Sequence, residues 1–102
     1  MHEALMIRLQ FSDGGKATQV LTFDGEALEV FSANIVTRNP RIHISHIESI
    51  GIETDRKGKH KLVFKLAWGL FFPDFSVEDT QLPSVNRLIA QVREAKAAFR
   101  FD

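Results

Sequence analysis

The sequence predicts an α+β domain in which a strongly bent antiparallel β-sheet is closed by one C-terminal helix. Three observations carry this. From Leu5 to about Val77 the apolar residues follow a period of two, the mark of half-buried strands. Glycine- and proline-bearing breaks divide that region into short pieces. After it the period becomes helical. Each element has one apolar face, and the economical way to bury them all lays the helix across the open sheet.

The elements follow in order. Leu5, Ile7, Leu9 and Phe11 point one way while Met6, Arg8 and Gln10 point the other. Ser12-Asp13-Gly14-Gly15-Lys16 reads as a hairpin turn. Gln19 to Phe23 gives the next strand, with Leu21 and Phe23 inward, and Asp24-Gly25 turns the chain toward Leu28 and Val30. Ile35-Val36-Thr37 is followed by Asn39-Pro40, where proline interrupts ladder pairing and marks a corner or connection. Ile44, Ile47 and Ile50 are spaced by three, which breaks strand parity and predicts a bulge or short turn near Ser45-His46. Asp55 to Lys59 is a charged hairpin tip, and Leu62, Phe64, Leu66 and Trp68 alternate against Val63, Lys65 and Ala67. Gly69 permits another reversal into a last strand holding Leu70, Phe72, Phe75 and Val77. A helix over about 81–99 then carries Leu82, Val85, Leu88, Ile89, Val92, Ala95 and Phe99 on one stripe. Asp79 or Thr80 is the expected cap, with Pro83 in the first turn and Lys96 and Arg100 near the end.

Composition narrows the function. The 102 residues fit one domain, 1–102, with a single core. Thirteen basic and thirteen acidic residues give a net charge of +0, which argues against a nucleic-acid binder. With no cysteine there is no disulfide, no thiolate zinc site and no thiol nucleophile. The stretch from Met1 to Arg8 does not resemble a signal peptide, and no run approaches the ~20 apolar residues of a membrane helix. A cytoplasmic location is expected.

The run Arg41-Ile42-His43-Ile44-Ser45-His46-Ile47-Glu48-Ser49-Ile50 resembles the Ile-x-Ile-x-x-Ile-x-x-Ile segment of bacterial pleckstrin-homology-like (PH-like) domains. The Phe23-Asp24-Gly25 turn and the terminal helix after a Phe-rich strand are similar to those domains as well. The resemblance implies a half-open antiparallel barrel of about seven strands with the helix plugging one end. It also implies a binding module for lipids, peptides or proteins, sometimes homo-oligomeric. It does not extend to phosphoinositide binding. Arg8 and Lys16 could start the basic pattern of the lipid-binding members, but Thr18 and Val20 stand where further cations are needed.

Three candidate sites stand out. The segment around Trp68, Phe71 and Phe75 is the candidate interaction surface, because period-two logic buries Leu70 and Phe72 and leaves Phe71 outside. Arg56, Lys57, Lys59 and Lys61 form a basic hairpin that could touch anionic lipid, although so short a run in a neutral chain also reads as a solvated turn. His43, His46 and Glu48 supply metal-ligand types, but a regular strand would send the two imidazoles to opposite faces and only the bend at Ser45 could bring them together; surface histidines flanking buried isoleucines are the ordinary reading, and no metal is expected. No nucleophile–base motif or phosphate loop is present, and neither catalysis nor a cofactor is expected. The expectation is a non-enzymatic module acting through protein–protein contacts, as a homo-oligomeric scaffold among them. The alternatives are a peripheral anionic-lipid binder using residues 56–61 and, third, a small-ligand carrier.

Overall fold

A computed structural model describes residues 6–13, 17–32, 40–70 and 72–99. Four strands, β1 (Ile7–Asp13), β2 (Ala17–Phe23), β3 (Ala27–Ser32) and β4 (Arg41–His43), form one antiparallel sheet in the order of the chain. A second antiparallel sheet holds β5 (Ile47–Thr54), β6 (His60–Leu66) and β7 (Phe75–Val77), and the chain ends on helix α1 (Leu82–Ala98). The architecture is α+β, and the sheets do not close on one another. The expected strand at Ile35-Val36-Thr37 lies outside the described residues.

The corner predicted from the isoleucine spacing is a 3₁₀ turn at Ile44–His46, with a register shift between Ile47 and Ser49 directly after it. Together they carry the chain from the first sheet into the second while Ile44, Ile47 and Ile50 all stay buried. His43 caps the turn, its Nδ1 accepting from the Ser45 N–H at 3.1 Å.

β1 and β7 lie against each other where the two sheets meet. Phe11 and Phe75 stack there at 4.9 Å between ring centroids, and Phe64 and Phe72 complete the aromatic group, 5.0 Å apart. Leu62 is fully buried, whereas Phe64 and Leu66, expected with it in the core, are only half-buried at its margin. The helix contributes Val85, Leu88, Ile89 and Val92 to the core, and Leu82, Ala95 and Phe99 pack partly against it.

Two cationic side chains fasten the helix to the second sheet: Arg93 Nη2 donates to the Ile50 carbonyl at 2.9 Å, and Lys96 Nζ donates to that of Ile47. The helix start differs from expectation. A 3₁₀ turn at Asp79–Gln81 precedes α1, and Glu78 and Gln81 form a reciprocal capping box. Asp79 is thereby free to face the β5–β6 hairpin.

The Asp24-Gly25 turn is locked by Asp24 Oδ1, which accepts from the N–H groups of Glu26 and Ala27, both at 2.9 Å. Partial burial pushes this carboxyl up, but those N–H groups and the Arg41 guanidinium outweigh it and hold it below its ordinary 3.8. A depressed acid stabilises the fold at pH above its unfolded value, and the contribution disappears as pH falls through the folded value. Asp24→Ala is expected to cost about 1 kcal/mol at neutral pH. In urea titrations the gap from the unmodified protein should shrink well below pH 3.8. A gap independent of pH would assign the loss to the turn backbone alone.

Candidate functional site

The strand-end segment expected to be an aromatic surface has a different geometry. β6 ends at Leu66 in a 3₁₀ turn at Ala67–Gly69, permitted by Gly69 at φ +68°, and neither Leu70 nor Phe72–Asp74 is in a strand, so alternation does not run from β6 into β7. Phe75 therefore does not belong to an exposed surface. It is 1% exposed, held among Phe11, Phe64 and Phe72. Leu70, expected inside, is 45% exposed. Phe71 and the Trp68 side chain lie outside the described residues. On the outward face of the first sheet, Phe31 is 41% exposed opposite the half-buried Val20.

The basic hairpin is built on Asp55. Its Oδ1 accepts from the N–H groups of Lys57 at 2.8 Å and Lys59 at 2.9 Å. The Lys59 N–H, opposed by desolvation but helped by the Lys57 N–H and the Lys59 and Lys61 cations, holds the carboxyl below its usual value. Arg56, Lys57, Lys59 and Lys61 are all exposed.

Below this tip opens a groove of about 1090 Å³, bounded by the β5–β6 hairpin, the end of β1 at Ser12 and the β7–α1 corner. Lys59 and Lys61 line it together with Glu53, Asp55, Glu78 and Asp79, so the cations do not form a purely basic surface. Among its lining residues runs a chain of polar contacts. Leu62 and Phe75 are cross-strand partners on the inner face, and two residues further on the alternation brings Thr54, His60 and Val77 to the end of that face. His60 Nδ1 meets Thr54 Oγ1 at 2.8 Å, and its Nε2 meets Asp79 Oδ1 at 2.8 Å. A carboxylate can only accept, so in the neutral ring Nε2 carries the proton and Nδ1 accepts from the Thr54 hydroxyl.

Hydroxyl, imidazole and carboxylate in line are the parts of a nucleophilic triad, but an acyl-transfer site also needs N–H donors aimed at the developing oxyanion. The hairpin N–H groups of Asp55, Lys57, Gly58 and Lys59 are all spent inside the turn. The arrangement is well suited to tying the hairpin to the start of the helix. The Thr54–His60 half was legible, since both flank the Asp55–Lys59 tip. Asp79 comes from a distant segment that sequence spacing cannot place.

At the corner, His43 and His46 stand 6.4 Å apart between ring centroids, and His43 packs edge-on against Phe99 at 5.0 Å. Glu48 turns instead to Lys65, at 3.8 Å. Among the described residues no three histidine or carboxylate side chains converge as a metal site, and no helix is long and apolar enough to cross a membrane. No family model matches the chain, and no curated protein matches it.

Proposed function

We propose that the chain is a PH-like binding module of the cytosol that works through protein contacts, self-association among them. The single observation that carries this reading is Phe31, a large aromatic on the outward face near the end of β3, past the residues of β3 that pair with β4. Burial of such a side chain against a partner removes apolar surface from water, and aromatic residues are enriched at protein interfaces. The two bent sheets with a terminal helix are consistent with the PH-like arrangement that the isoleucine pattern suggests. The carboxylates interleaved with Lys59 and Lys61 weigh against anionic lipid as the primary ligand.

Sedimentation with phosphatidylserine vesicles tests the reading. Little protein should pellet at physiological salt, and the small amount bound at low salt should vanish when Arg56, Lys57, Lys59 and Lys61 are neutralised. Strong, headgroup-selective pelleting at physiological salt would replace the protein-contact reading with a lipid one.

A further inference from the structure

The outward face of the second sheet carries a glycine that the monomer does not require. Gly51 sits inside β5 opposite Val63, and a Cβ built on it would meet nothing within 4 Å. Its φ is not in the left-handed region. Glycine in a strand interior weakens the strand, and one that neither crowding nor φ demands leaves room for another backbone or side chain to come close.

The side chains around Gly51 show what fits there. Ile50 and Ile52 turn inward, so the outward side of β5 presents Gly51 and Glu53, with Glu48 at the bulge reaching Lys65 at 3.8 Å. The outward side of β6 presents Lys61, Val63 and Lys65, paired in register with Glu53, Gly51 and Ser49. One strand is thus an acidic strip broken by a gap, and its neighbour is a basic strip broken by a small apolar side chain. We propose that this face recognises the same face of a second copy about a two-fold axis parallel to the strands. That rotation lays β5 of each copy over β6 of the other. Glu48 and Glu53 then oppose the partner's Lys65 and Lys61, and each Val63 enters the space above the partner's Gly51. An isologous contact needs this self-complementarity, and it is present in all three rows.

The contact is small. Two strands about 4.8 Å apart, of eight and seven residues, lie over the partner's two and offer roughly 250 Å² per copy, well under the ~800 Å² per partner of a standard interface. Association should therefore be weak and sensitive to salt.

This inference rests on the protein-contact reading and is tested separately, by sedimentation equilibrium of the full chain at low salt. The unmodified protein should dimerise reversibly, with a dissociation constant on the order of 100 µM or weaker for so small a contact. Gly51→Val should weaken dimerisation at least tenfold while the protein stays folded, with Gly51→Ala intermediate. Glu48→Lys/Glu53→Lys and Lys61→Glu/Lys65→Glu should each be monomeric alone, because each makes both strips one sign. Mixed in equal amounts, the two should associate again, since the basic strand of one then meets the acidic strand of the other. A protein that stays monomeric at millimolar concentration overturns the inference and leaves binding to a different protein intact. A dimer indifferent to Gly51→Val and to both charge reversals, yet lost in Phe31→Glu, moves self-association to the first sheet. That result also overturns it.

Discussion

Phe75→Ala is expected to cost about 3–5 kcal/mol, the usual range for removing a buried aromatic. Phe75 is 1% exposed and sits where the two sheets meet, in ring contact with Phe11 from one sheet and Phe64 from the other. Its loss leaves a cavity that three neighbouring rings cannot fill without leaving their rotamers. Urea unfolding monitored by circular dichroism measures the cost. Phe64→Ala should cost less, because that ring is only half-buried. A Phe75→Ala protein within 1 kcal/mol of the parent would mean that the sheets do not meet through this ring.

Leu88→Ala is expected to cost about 2–5 kcal/mol and to lower the stability of helix and sheets together. A helix of 17 residues is marginal by itself in water, so α1 depends on the packing of Val85, Leu88, Ile89 and Val92. The check is the coincidence of two probes, the far-ultraviolet helix signal and hydrogen exchange at the β2 and β3 amides. One shared transition in the variant supports a common core. A helix that melts first, with the strands still protected, would show that α1 is an accessory rather than part of the fold.

The legible part of the fold was written in local period. Ile44, Ile47 and Ile50 announced the corner because a residue that must stay buried through a change of direction has to leave strand parity. The α1 stripe was legible because its four buried residues fall on one side of a regular helix. The segment from Trp68 to Phe75 was misread for the complementary reason. In a run where almost every residue is apolar, alternation carries no parity, and the stretch between the 3₁₀ turn at Ala67–Gly69 and β7 holds no strand at Leu70 or Phe72–Asp74, so Leu70 is exposed while Phe72 and Phe75, three apart, are both buried. The Thr54–His60–Asp79 chain was half legible, since a hairpin fixes its own cross-strand partners but says nothing of what a later corner brings over them. The Gly51–Val63 face became readable only once the register was known, because charge complementarity between neighbouring strands exists only in a register.

The two hydrogen bonds from α1 to β5 bear on how copies of this chain stay dispersed. A protein of formal net charge +0 has little colloidal repulsion to keep its molecules apart. β5 ends its sheet, and an uncovered strand end-row is a template on which a further strand can add, copy after copy, into an open ribbon. Arg93 and Lys96 occupy the Ile50 and Ile47 carbonyls along that row. An incoming strand would have to displace two cations that are themselves held by the packed helix. The fastening that secures the helix therefore also obstructs strand addition along this part of the edge.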